Sequence, residues 1–365
     1  MDLMKQSTSF AQLKKKYRNF AAPTVEIYVD GAGIVSKMGA SVTDLEVDLT
    51  CGYPASGCSF TITGEYQPSQ SDFNPRGCAK KLELGAKVEV ALGYITLETV
   101  FVGLITELEY LFEEEAPLIH VECMDIKCLL MKTQRLELMG ESKCRQVVDE
   151  LLSSAPVSSY LGGKAIEIPN DEKRPLGVSM ESDYDFIVRW AQYSGCEFFV
   201  LCGKVYFRPA PGASSPILEL EPDGGILSAR LRLQGTELVK SVQVVSIDPA
   251  NDKVISGKAS ASGKFGDGPT AKKMIAGTER IYLDPLATST SAAQARAKVL
   301  MAGLTGRFEQ LELRCIGLPD LVPGRQVKVK GLSGRAAGSF YITDIRHSFG
   351  LDGFTTTLEA RRISL

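Results

Sequence analysis

The sequence predicts a mainly β protein with an α+β component: two similar β-barrel domains, at residues 23–126 and 210–365, bridged by a smaller α/β domain at 127–209. Three observations predict it. Apolar and polar residues alternate over most of both end segments, the period of strands whose two faces meet different surroundings. Between them the period lengthens to three and four residues after Ser142 and again after Ser182, followed by a two-stranded hairpin. Finally, one short pattern of residues occurs twice in the same order.

Residues 1–22 form an arm with Lys14, Lys15, Lys16 and Arg18 but no apolar signal segment, expected to be a loosely ordered terminus, the alternative being a short helix that packs on a neighbour through Phe10, Leu13 and Tyr17 on one face. From Pro23 the period is two: Val25, Ile27 and Val29, then Leu45, Val47 and Leu49, then Phe60 and Ile62, and four further runs to Cys123. Turn residues separate them, among them Asp30–Gly31, Gly52–Tyr53–Pro54 and Asn74–Pro75–Arg76–Gly77, which reads as a sandwich or barrel. Glu113, Glu114 and Glu115 read as a solvated turn. In the bridge, Cys144, Val147, Val148, Leu151 and Leu152 define one amphipathic helix.

A second helix starts at Ser182, whose hydroxyl can cap an orphan amide, with Asp183 and Asp185 at its positive end. Phe186, Ile187, Trp190, Ala191 and Tyr193 share a face, and Gly195 supplies the left-handed residue that ends it. A hairpin follows, from Glu197 through the Gly203–Lys204 turn to Phe207, so Tyr184, Phe186, Trp190, Gly195, Phe198, Tyr206 and Phe207 mark the central domain; the aromatic residues read as core rather than ligand box. Beyond a linker at 209–216 strand periodicity returns, interrupted by a polar insertion at 251–276, expected to be mobile or to order on a partner, and by a helix with Ala292, Ala295, Val299 and Ala302 inward.

The repeated pattern is Leu82-x-x-Gly85-x-x-Val88-x-Val90, then Thr106, then Glu122; it recurs as Leu321-x-x-Gly324-x-x-Val327-x-Val329, then Thr343, then Glu359. Thr106 and Thr343 stand 237 positions apart, as do Glu122 and Glu359, while Gly85 and Gly324 stand 239 apart, a difference one hairpin loop absorbs. Two related β-modules in one chain would give six modules in a trimer, a way to fit a three-fold object to a six-fold one.

Composition narrows function by exclusion. With 41 basic and 44 acidic residues the chain has no global attraction for nucleic acid or anionic membranes, and no stretch approaches the length of a membrane span, so proteins are the expected partners. Nine cysteines, at 51, 58, 78, 123, 128, 144, 196, 202 and 315, form no C-x-x-C pair. They read as small buried hydrophobes of a chain made in a reducing cytoplasm, and no metal site is expected. Asp30–Ser36 begins like a dinucleotide fingerprint but lacks the third glycine, and the run from Gly257 to Lys264 fails the phosphate-loop spacing. His120 and His347 are expected to be surface or interstrand residues. No catalytic residue and no cofactor is expected.

From Ser182-Asp183-Tyr184-Asp185-Phe186 through Trp190-Ala191, Gly195 and Phe198-Phe199-Val200 to Lys204-Val205-Tyr206-Phe207, the chain resembles the phage late control D, or tail hub, family of contractile tails. That family is related in fold to the N-terminal hub part of type VI secretion spike proteins. Leu318-Pro319-Asp320-Leu321-Val322-Pro323-Gly324 and Tyr341-Ile342-Thr343-Asp344-Ile345-Arg346-His347 extend the resemblance. It implies a homotrimer whose two tube-like barrels per subunit build a ring joining the hexameric tail tube to a trimeric spike. The channel would admit a tape-measure protein or cargo, and other baseplate proteins would flank it. The chain would be made in the bacterial cytoplasm and incorporated into a phage tail or injection particle. The sequence ends soon after the second barrel, which implies a separate spike protein and no attached lysozyme domain. The alternative reading is a carbohydrate- or cell-surface-binding β-protein, and a third is a cryptic hydrolase with a spatially paired set of carboxylates.

Overall fold

The computed structural model describes residues 4–64, 77–112, 117–212, 214–248, 251–261 and 269–362. The turn expected at Asn74–Pro75–Arg76 and the glutamates 113–115 lie outside them. The chain is mainly β. After α1 (Phe10–Lys16) come β1 (Thr24–Val29), β2 (Ala32–Gly33), β3 (Ser41–Thr50), β4 (Gly57–Thr63), β5 (Lys87–Gly93), β6 (Leu97–Leu111) and β7 (Leu118–Met124).

The bridge holds α2 (Lys127–Leu130), β8 (Gln134–Ser142), α3 (Cys144–Ser153), α4 (Val157–Tyr160), β9 (Gly163–Ile166), β10 (Arg174–Ser182), α5 (Asp183–Ser194), β11 (Cys196–Leu201) and β12 (Lys204–Pro209). The last part has β13 (Leu218–Leu220), β14 (Ile226–Leu233), β15 (Ser241–Asp248), β16 (Lys253–Ser260), α6 (Pro269–Ile275), β17 (Glu279–Leu283) and α7 (Thr290–Thr305). It ends with β18 (Glu309–Ile316), β19 (Gln326–Val329), β20 (Gly338–Gly350) and β21 (Gly353–Arg362).

The two barrels expected from the sequence are not closed separately. Thirteen strands form one sheet in the order β14-β18-β21-β20-β3-β4-β7-β6-β5-β1-β2, with β19 on β20 and β13 on β19. The reason is local: the outer edge of β3 is satisfied by antiparallel pairing with β20, from Leu45↔Phe349 to Thr50↔Asp344, instead of by its own half. One continuous hydrophobic core, from Ile27 and Phe60 to Phe340 and Leu358, runs beneath both halves.

The Asp30–Ser36 segment is a hairpin turn held from inside. The buried Glu26 carboxylate accepts the amides of Val35 and Ser36, each at 3.0 Å. The bridge has its own core, in which α5 and α3 pack on the β11–β12 hairpin through Phe186, Trp190, Val148, Phe198 and Phe207.

A third core was not anticipated. Residues expected to belong to the second barrel form a separate sheet, β16-β15-β17, covered by α7. All eight residues of β16 pair with β15, so 253–260 of the polar insertion is framework; 262–268 lie outside the described residues. Gly257 permits this, because a Cβ there would stand 2.2 Å from the Gln294 amide nitrogen of α7. The buried face of α7 is Ala293, Ala297 and Met301, a register apart from the face read from sequence.

The arm is docked rather than loose. Leu13 and Tyr17 are fully buried, and the Tyr17 hydroxyl donates to Asp320 at 2.5 Å. Lys16 bridges Asp320 and Glu98, both at 2.7 Å.

Candidate functional site

The site that organises the molecule is the seam between β3 and β20. β20 has two partners in succession on one side: β19 along Gly338–Tyr341, then β3 along Asp344–Phe349. The exchange happens at a corner. The Gly324 amide donates to the Ile342 carbonyl (2.9 Å), the Ile342 amide to Arg325 (2.8 Å), and the Cys51 amide to the Thr343 carbonyl (2.9 Å). Gly324 has φ +78°, and a Cβ there would meet the Phe199 ring at 3.1 Å, so a side chain would be strained twice over.

β6 turns the same corner beside β5. The Gly85 amide donates to the Ile105 carbonyl (2.8 Å), the Ile105 amide to Ala86 (3.0 Å), and Gly85 has φ +88°. Thr106 Oγ1 donates to the Glu122 carbonyl at 3.2 Å, and Thr343 Oγ1 to the Glu359 carbonyl at 3.1 Å. Both positions coincide with a bulge in the following ladder. Val88, Val90, Val327 and Val329 are all buried under these corners.

Along the seam, Arg346 grips Asp48 with two hydrogen bonds, Nε to Oδ1 at 2.7 Å and the terminal nitrogen to Oδ2 at 3.1 Å. On the other face Ile345 lies opposite Leu49 and His347 opposite Val47, all buried. His347 is therefore an interstrand residue of the core, between Val47 and Thr356, and not a surface histidine. Its Nδ1 is 2.9 Å from Thr356 Oγ1, which also accepts the Leu318 amide. Burial pushes the imidazole pKa down to about 3. His120 is part-exposed between strands, with Nδ1 3.2 Å from Thr61 Oγ1.

The bridge is fastened to the seam by buried polar groups that the sequence did not single out. Glu197 on β11 accepts the Tyr341 hydroxyl at 2.7 Å, and burial holds its carboxyl above the usual range. Arg208 stacks over Phe199 and Tyr206 and donates to the Gly324 carbonyl at 2.8 Å. Lys127, fully buried, donates to the carbonyls of Gly52, Tyr53, Pro54 and Phe198 at 2.7–3.2 Å. Burial lowers its pKa to about 8, against the opposing pull of the buried Asp125. A lysine set in the apolar run from Ile126 to Leu130 was the one signal available.

Of the residues marking the central domain, Phe186, Trp190, Phe198 and Phe207 meet in its core. Tyr184 donates its hydroxyl to the Tyr53 carbonyl at 2.9 Å, and Gly195 ends α5 at φ +69° with Val299 of α7 close against it. Tyr206 faces the other way, stacked on Phe199 at 5.0 Å in the main core. A cleft of about 600 Å³ between α5 and α7 is walled by Arg174, Trp190, Tyr193 and Arg296. Its arginines are committed: Arg174 lies over the Trp190 ring, and Arg296 donates to the carbonyls of Gln192 and Tyr193. Among the described residues no group of three or more histidines, cysteines or carboxylates is placed to hold a metal ion, and no helix is long and apolar enough to cross a membrane.

Solved structures share this architecture at low identity. The 43 kDa tail protein of prophage MuSo2 from Shewanella oneidensis has a TM-score of 0.72 at 13% identity, covering 94% of this chain and 99% of its own. The tail protein from Neisseria meningitidis MC58 has a TM-score of 0.70 at 14% identity, covering 93% and 97%. An E. coli component of the type VI secretion system, described as structurally similar to the T4 bacteriophage tail proteins gp27 and gp5, has a TM-score of 0.56 at 12% identity, covering 92% and 76%. The chain thus has the fold of phage tail proteins and of a type VI secretion component, as the sequence resemblance implied. It belongs to the family whose model is described as the Alg8 N-terminal domain, which matches residues 21–350. No curated protein matches it in sequence.

Proposed function

We propose that the chain is a structural baseplate hub of a contractile phage tail, tail-like bacteriocin or related injection system, acting as a trimeric adaptor between a hexameric tail tube and a separate trimeric spike. The observation that carries this reading is the seam. Two modules with the same corner, residues 23–126 and the β13–β14 and β18–β21 strands of 210–365, are joined edge to edge within one chain. Three chains would then present six modules around a central channel for a tape-measure terminus or cargo, with residues 127–209 fastened to each seam through Glu197 and Arg208. The relatives' descriptions as tail proteins and as a type VI secretion component support the same use.

No catalytic step is assigned. The polar groups beside the seam are spent on backbone carbonyls and on one another, which suits a part that must stay rigid while load passes through it. The test is the mass of the purified chain by light scattering, alone and with its candidate spike protein. A three-fold mass, in either condition, is expected; a single-chain mass in both would overturn the reading.

A further inference from the structure

The seam is made once inside the chain, yet the two halves that make it are equivalent, so its counterpart should exist elsewhere. The equivalences follow from the pairings. Cys123 and Ala360, 237 positions apart, pair with Cys58 and Leu311, which in turn pair with Val47 and Leu231. Hence Val47, Asp48 and Leu49 of β3 correspond to Leu231, Arg232 and Leu233 of β14. By the same offset Ile345, Arg346 and His347 of β20 correspond to Leu108, Glu109 and Tyr110 of β6. β3 and β20 are zipped together, whereas among the described residues β14 ends the sheet and β6 from Glu107 onward pairs only with β7.

Burial marks the difference. His347 and Leu49 are 0% and 3% exposed, but their counterparts Tyr110 and Leu233 are 44% and 49% exposed. Leu108 and Leu231 already touch the rim of the main core, as a half-finished seam requires. Charge marks it too. Arg346 and Asp48 form the bidentate pair of the closed seam; at the open positions the signs are exchanged, with Glu109 on β6 and Arg232 on β14. Neither makes an ion pair among the described residues. An exposed strand edge with an apolar stripe is otherwise an aggregation hazard, so it calls for a cover.

We infer that the β6 edge of one copy pairs antiparallel with the β14 edge of a second copy, in the register Leu108↔Leu233, Glu109↔Arg232 and Tyr110↔Leu231. This deepens the hub reading and rests on it only for the number of copies. The contact is heterologous, β6 of each copy meeting β14 of the next, so it propagates until the ring closes. Affinity comes from main-chain hydrogen bonds and the apolar stripe, and the single exchanged ion pair fixes the register.

Charge reversal tests it on the full chain, in the condition where the wild type is oligomeric. Because like charges would then face each other across the pair, Glu109→Arg and Arg232→Glu alone should each lower the light-scattering mass at a fixed dilute concentration, and the double variant should restore it. A second measurement fixes the register: Glu109→Cys with Arg232→Cys should give a disulfide ladder between copies under mild oxidation, while Glu109→Cys with Arg230→Cys should not. A ladder ending at three copies supports both the pairing and the hub; one running past three supports the pairing and overturns the trimer. A three-fold mass untouched by either single reversal overturns the pairing and leaves the hub reading standing. A wild-type chain that stays single even with its spike, with no ladder, overturns the pairing.

Discussion

His347 has no side facing water, and its Nε2 finds no partner among the described residues. A neutral ring suits such a place, and its lowered pKa has a consequence of definite sign. In the unfolded chain the ring takes a proton near pH 6.5; in the folded chain it does so only near pH 3. Between those values the unfolded state binds more protons, so stability falls as pH falls, by up to about 1.4 kcal/mol per pH unit. Urea midpoints compared between wild type and His347→Gln should fall more steeply on acidification in the wild type. Equal slopes would mean that the ring titrates normally.

At the same scale, Trp190 is buried, with the guanidinium groups of Arg174 and Arg189 5.3 and 5.5 Å from its ring centroid. Truncating it to alanine should cost about 3–5 kcal/mol, as for a large aromatic removed from a packed core. An unchanged thermal midpoint would take it out of the core. Trp190 and the other aromatic residues of the bridge were legible as core; Lys127 and Glu197 were not, because their partners are backbone carbonyls and side chains that only the fold brings near.

Among the elements, α5 was legible to the residue, since Ser182 and Gly195 state its ends chemically. The Ser182 hydroxyl accepts the Asp185 amide at 3.0 Å, and the Asp185 carboxylate returns to the Ser182 amide. Ser182→Ala should cost about 1 kcal/mol, measurable as a shift in denaturant midpoint without loss of the fold. The arm α1 was misread because its partner Asp320 lies 304 residues from Lys16 and leaves no mark in the local pattern. Asp320→Asn should speed amide exchange in α1 while leaving the bridge protected; unaltered protection in α1 would show that the apolar contacts of Leu13 and Tyr17 suffice. The face of α7 was misplaced for a different reason. A helix rich in alanine looks much the same from several sides, and Gly257 on another strand decides which side is approached.

At the scale of the molecule, alternation and the repeat were enough to indicate a mainly β protein with two related halves. They did not indicate one sheet. Alternating strands of similar polarity can pair in many ways, and the choice of β20 for the free edge of β3 is made between segments about three hundred residues apart, where neither period nor composition discriminates. The separate β15–β17 sheet was hidden likewise, since in β16 Val254 faces solvent while the buried positions are Gly257 and Ala259.

The closed seam between β3 and β20 also changes the kinetics of any ring built from this chain. Because that joint is made within one polypeptide, its two edges meet at a high effective concentration and reclose after every local opening, independent of dilution. In a ring of six modules every second joint is of this kind. Loss of order in collision is therefore met three times rather than six, and a damaged ring would part at alternate joints, shedding intact two-module pieces that can be reused.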